Sequence, residues 1–132
     1  MRTLAAIVSF SVVAISAPSA QSPSAPVIVQ MSYWAQPGKE DDVLRIRLMA
    51  ADVLVKKGLP RGRVWRTAEN PRATKDPIGP TVIWQGEFTD EAMLRKYEEV
   101  ADKDPDFLAM RKQMGTVTVT TRTERRYFRE AR

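Results

Sequence analysis

Neither cysteine nor histidine occurs anywhere in the 132 residues. Without histidine there is no imidazole general base, no Ser-His or Cys-His nucleophile pair and no imidazole metal ligand. With both residue types missing, zinc, copper and non-haem iron sites built on them are excluded together, as is His or Cys ligation of haem. No metal and no cofactor are therefore expected. Disulfides are excluded as well, so stability must come from burial, with help from a second subunit in so small a domain. The apolar stretch Leu4 to Ile15 is 12 residues long and carries Ser9 and Ser11. A bilayer core needs about 20, so no stable membrane anchor is expected.

That short stretch has another use. Met1-Arg2-Thr3 gives a positive start, and Ser16-Ala17-Pro18-Ser19-Ala20 supplies small residues after the apolar run. This is the three-part pattern of a cleaved export signal. Gln21 to Pro26 is rich in Ser, Pro and Ala and reads as flexible chain. Residues 1–25 are thus expected to be a signal peptide and leader, and 26–132 one domain in the periplasm or outside the cell. Export also makes the lack of cysteine informative, since disulfides are permitted there. The net charge is +5, or +4 once Arg2 is removed. Arg122, Arg125, Arg126, Arg129 and Arg132 crowd the last eleven residues, against Glu124 and Glu130. A basic run can bind nucleic acid. An exported chain does not meet it, so the run reads as a solvated strand edge, where charge also discourages aggregation.

Periodicity orders the domain. Val27, Val29, Met31 and Tyr33 alternate on one face of a first strand, Val27 to Ala35. Gln36-Pro37-Gly38 ends it. A helix from about Lys39 to Lys57 follows, with Glu40, Asp41 and Asp42 in the first turn, where the helix dipole favours negative charge. Val43, Ile46, Ala50, Val53 and Leu54 make its apolar stripe. Asp41 with Arg45, and Asp52 with Lys56, are spaced as i,i+4 pairs. Gly58 then caps the helix and Pro60 follows. Gly62 to Ala68 and Thr81 to Phe88 read as strands, separated by a loop from Glu69 to Pro80 with Pro71, Pro77, Gly79 and Pro80 as breakers. On the third strand Val82, Trp84 and Phe88 share one face and Ile83, Gln85 and Glu87 the other. Thr89-Asp90 caps a second helix with Leu94, Tyr97, Val100 and Ala101 inward. Pro105 opens a short further helix carrying Phe107, Met110 and Met114. After Gly115, Thr116 to Phe128 reads as a long last strand, rich in Thr, Val and aromatics.

The order β-α-β-β-α-β predicts a ferredoxin-like α+β fold: a four-stranded antiparallel sheet with two helices on one face. The other face cannot stay apolar in water, so a homodimer is expected. Asp102, Asp104 and Asp106 mimic a calcium loop. Phe107 and Gln113 stand where that loop needs Gly and Glu, and capping by Asp104 ahead of Pro105 explains the run instead.

The first strand, the Gln36-Pro37-Gly38-Lys39 turn, the Trp84-Gln-Gly-Glu-Phe88 strand and the Asp106-Phe107-Leu-Ala-Met110-Arg111 segment together resemble the dimeric α+β barrel superfamily. NIPSNAP-like proteins and antibiotic-biosynthesis-monooxygenase-like domains belong to it. The resemblance spans the mature chain and rests on structural signals rather than catalytic ones. It implies two sheets facing each other across a dimer and a pocket between each sheet and its own helices. The haem-degrading members use a His in the second-helix region, an Asn on the first strand and a Trp on the third. Trp84 matches the last, but Met110 and Arg111 stand where the His would fall, and Gln30 and Ser32 where the Asn would.

The candidate site residues are aromatic walls with a few polar groups, the usual make-up of a small-molecule pocket. Tyr33, Trp34, Trp65, Trp84, Arg63, Arg66 and Gln85 are the candidate ligand-binding set, and the Trp residues serve equally as core or interface. Glu87 and Tyr97 are the candidate catalytic, acid–base residues. Glu87 sits mid-strand among apolar residues, where burial would call for Arg63, Arg66 or Arg125 as a partner or raise its pKa. The leading expectation is an exported protein that binds a small, partly apolar molecule. The rivals are a cofactor-free monooxygenase- or isomerase-like enzyme using Glu87 or Tyr97, and a structural dimer without ligand.

Overall fold

A computed structural model describes residues 25–68 and 79–131. The stretch expected to be an export signal and most of the loop between the second and third strands lie outside them. Strand β1 (Val27–Tyr33) leads into helix α1 (Glu40–Lys56). Strands β2 (Arg63–Arg66) and β3 (Val82–Phe88) follow. Two helices come next, α2 (Glu91–Lys103) and α3 (Pro105–Val117). A 3₁₀ turn, Thr120–Arg122, then precedes β4 (Glu124–Arg129). The sheet is antiparallel in the order β2-β3-β1-β4. This is the expected ferredoxin-like α+β fold.

Alternation decides which side chains meet the helices. Val27, Val29 and Tyr33 of β1 and Val82, Trp84 and Phe88 of β3 are buried beneath them. On α1 the expected stripe is buried at Val43, Ile46, Ala50 and Leu54, and Ala51 and Arg47 are buried with it. From α2 and α3, Leu94, Tyr97, Val100, Ala101, Phe107 and Met114 close the layer. No helix among the described residues is long and apolar enough to cross a membrane.

The chain between α2 and β4 departs from the sequence reading. The break at Asp104-Pro105 is where expected: the Asp104 carboxylate accepts from the Asp106 and Phe107 amides, and its other oxygen meets Lys57 Nζ at 2.7 Å. The helix after it is not short, however. It runs 13 residues through Gly115 to Val117, so β4 begins at Glu124 rather than Thr116. Packing overrides β-propensity here. Met114 and Val117 are buried against Tyr33, Val43 and Ile46, which holds this stretch in a helix. The Gln36 amide donates to Val117 O, and Ala35 bridges Thr118, tying the helix end to the end of β1.

The expected i,i+4 pairs on α1 do not form either. Arg45 reaches back to Asp42 at 3.2 Å. Asp41 and Asp52 turn outward to Arg66 and Arg61, at 2.6 and 3.1 Å. The chain around β2 thus supplies cations that the helix pattern alone could not show.

The centre of the buried layer is Trp84. Its Nε1 donates to Arg61 O at 2.9 Å, and its ring runs along the strand over Gly86. A Cβ on Gly86 would stand 2.5 Å from Trp84 Cη2 and 2.7 Å from Cζ2, with Phe88 at 3.1 Å. Only a hydrogen fits there. The Gly86→Ala substitution is therefore expected to cost about 1–3 kcal/mol in urea unfolding through overpacking. Gly79→Ala, which meets nothing within 4 Å, should stay within about 0.5 kcal/mol of the parent. Equal stability of the two variants would contradict the Trp84–Gly86 contact.

Candidate functional site

Beneath the sheet, at the end of β1 toward β4, the layer is incompletely filled. A cavity of about 210 Å³ lies between β1 and β4 on one side and α1 and α3 on the other. Met31 and Tyr33 line it from β1, Ile46, Arg47 and Ala50 from α1, and Phe107, Met110 and Met114 from α3. Tyr97 of α2 and Arg125 of β4 also reach it, and Arg111, Gly115, Thr118, Thr120 and Thr123 complete its wall. Three methionines and three aromatic rings make much of the wall soft and apolar, which suits irregular guests.

Arg47 is the unusual member. It is 2% exposed. Its guanidinium carbon sits 4.5 Å from the centre of the Trp84 ring and 5.9 Å from that of Phe107. A cation over the Trp face is favourable, yet that contact supplies no hydrogen-bond acceptor. Its Nε and Nη2 have no hydrogen-bond partner, and among the described residues no carboxylate pairs with it. A guanidinium keeps its charge in proteins, and buried charges are ordinarily paired. The cavity wall therefore contains a cation that no anionic group of the described residues neutralises.

Two further arginines stand at the rim. Arg111 Nη1 is 3.9 Å and Arg125 Nη2 4.0 Å from the exposed Asp102 carboxylate. Tyr97 packs against Trp84 at 5.4 Å between ring centres and against Phe88 at 4.9 Å. Burial pushes its phenol up from 10 to about 12, with Arg125 and Arg47 pulling weakly the other way. At neutral pH Tyr97 can donate a hydrogen bond but has no phenolate to act as a base.

The sequence candidates divide between the two faces of the sheet. Tyr33 and Tyr97 line the cavity, and Trp84 lies immediately behind Arg47. Trp65, Gln85, Glu87 and Arg63 lie on the outer face. There Trp65 Nε1 donates to Gln85 Oε1 at 3.2 Å, and Gln85 Nε2 to Gln30 Oε1 at 2.9 Å. Glu87 is exposed beside Ile28, so it needs no buried partner. The structure does not bring Glu87 and Tyr97 together. Arg66 is held by Asp41 at the sheet edge, and Trp34 packs under Arg122, 5.1 Å from ring to guanidinium. Sequence reasoning missed Arg47 as a site residue. Its signal was present: Val43, Arg47, Ala50 and Leu54 are spaced 4, 3 and 4, so a cation sits inside the apolar stripe.

No protein-family model and no curated protein sequence matches the chain. Solved structures do. A dimeric ferredoxin-like protein of unknown function from Bacteroides fragilis superposes with a TM-score of 0.58 at 14% identity, over 80% of this chain and 96% of its own. An uncharacterised NIPSNAP domain protein from Burkholderia xenovorans gives 0.55 at 14%, over 80% and 94%. A monooxygenase-like protein of antibiotic biosynthesis from Nitrosomonas europaea gives 0.61 at 8%, over 83% and 94%. The chain has the fold these proteins share. At such identities the likeness extends to the fold alone, and the cavity must be read from its own residues.

The Tyr97 environment can be checked by alkaline titration. Its folded pKa is raised, so the stabilisation from keeping the phenol neutral is intact below pH 10. It is lost as pH climbs from 10 toward 12. The phenolate absorbance should show a late step near pH 12 that disappears in Tyr97→Phe. Persistence of that step in the variant would assign it to another group.

Proposed function

We propose that the chain is an exported homodimer that holds a small, partly apolar molecule in the cavity between the sheet and its own helices. The observation that carries this reading is the cavity itself: about 210 Å³ of space among Met31, Ile46, Phe107, Met110 and Met114 in an otherwise packed layer. Protein interiors are normally filled to crystal density, and an apolar cavity of about 150 Å³ already accepts benzene. A guest of one or two fused rings is the corresponding size. Dimerisation is supported by the outer face, where Trp65 is 50%, Phe128 43% and Ile28 37% exposed. It is supported as well by the dimeric ferredoxin-like neighbours. Export rests on the pattern of residues 1–20.

Binding is favoured over acid–base catalysis by the placement of the candidate pair. Glu87 and Tyr97 are separated by the sheet, and Tyr97 is neutral, so no general base among them faces a guest.

Native mass spectrometry of the protein recovered from the periplasm of its own cells tests the three parts together. The expected species is twice the mass of a chain shortened by roughly 20–25 residues, the span a signal peptide removes, with a bound small molecule. Met110→Trp, which puts an indole into the cavity, should remove the bound mass. A retained leader would overturn export, a monomer would overturn the dimer, and a guest that survives Met110→Trp would overturn the cavity as its seat.

A further inference from the structure

We infer that the guest is an organic carboxylate, its charge met by the buried guanidinium of Arg47 and its apolar body by the methionine-lined wall. The inference rests on the cavity being a binding site and adds the chemical class of what it binds.

Four observations converge. First, Arg47 is essentially excluded from solvent and lines the cavity, so its charge is felt there with little screening. Second, the guanidinium has no counter-ion within the fold. Its Nε and Nη2 are fully buried and without a hydrogen-bond partner, so a carboxylate in the cavity meets a charge not yet neutralised. Third, the guanidinium is held in place. Its carbon lies 4.5 Å from the centre of the Trp84 ring, which is itself fixed by the bond to Arg61 O and by the strand at Gly86. A cation that is already positioned loses little freedom when it binds. Fourth, the balance of charge at the cavity is positive. Arg47, Arg111 and Arg125 reach it, and the nearby Asp102 engages only the two rim arginines, at 3.9 and 4.0 Å. An anion entering past the rim is drawn inward, and at Arg47 it satisfies a charge that the fold leaves bare.

The rest of the wall sets the size and character of the anion. Met31, Ile46, Ala50, Phe107, Met110 and Met114 offer no charge, so the body of the ligand is apolar. The hydroxyl of Tyr97, held neutral, remains a donor. A flat aromatic acid of one or two rings fits both the charge and the volume.

The test uses the full mature protein and two probes of nearly equal shape, 2-naphthoate and its neutral counterpart 2-naphthamide, in isothermal titration at low salt. The wild-type protein is expected to bind the acid at least tenfold more tightly than the amide. Arg47→Met, which keeps the volume and removes the charge, should bring the two affinities within about twofold while still binding the amide. Arg47→Lys keeps charge without the guanidinium and should fall between. Equal binding of acid and amide by the wild-type protein would overturn the carboxylate assignment and leave the pocket standing. Failure to bind either would overturn the pocket along with it. The comparison within wild-type protein decides the matter even if a variant does not fold.

Discussion

Arg47 carries a full positive charge into an apolar layer at 2% exposure, with an indole under it and no carboxylate beside it. Desolvating an ion without a partner is among the most expensive things a fold can do. The neighbouring residues are arranged around that expense. The Trp84 and Phe107 rings lie 4.5 and 5.9 Å from the guanidinium carbon. Gly86 leaves the indole room to lie flat, and Tyr97 stacks behind it. These contacts recover part of the lost hydration through the aromatic faces. They do nothing for the edge at Nε and Nη2.

The fold explains why the feature can exist in a small domain. An antiparallel sheet covered by helices on one side has a single dry layer, and any large side chain missing from it leaves a gap under β1 and β4. Here α3 supplies the long, flexible methionines Met110 and Met114 where it faces the cavity. The end of α3 is pinned to β1 through Gln36 and Thr118. The wall is thus compliant at the side chains and fixed at the backbone, the combination a pocket needs to hold a guest of defined size. The outer face is built differently. Its glutamine chain from Trp65 to Ser32 is polar but ringed by exposed Phe128 and Ile28, as suits a surface meeting another sheet rather than a small molecule.

Much of this was legible in the sequence, and the misses have physical causes. The strand alternation of Val27 to Tyr33 and of Val82 to Phe88, the stripe of α1 and the cap at Asp104 all set local geometry, and the fold follows from them. The Thr- and Val-rich stretch after Gly115 was misread because its helix is held by Met114 and Val117 packing on distant residues, which no local pattern reports. Glu87 and Gln85 stood out in the sequence by their chemistry. Period-two alternation already put them on the face opposite Trp84, so they could not share its pocket. Arg47 was missed differently: the stripe was traced through its apolar members alone, although the spacing of 4, 3 and 4 with Val43, Ala50 and Leu54 already put this cation on the inward face.

The central claim is that Arg47 is retained for what it binds and not for what it holds together. Chemical denaturation of Arg47→Met, compared with the parent in the absence of any ligand, tests it most directly. Replacing a buried, unpaired charge with an apolar side chain of similar volume should leave the protein as stable as before or more so, by up to about 1–4 kcal/mol if buried ion groups elsewhere are a guide. A loss of more than about 3 kcal/mol, the size seen when a paired buried charge loses its partner, would show Arg47 to be part of the scaffold and would contradict the account.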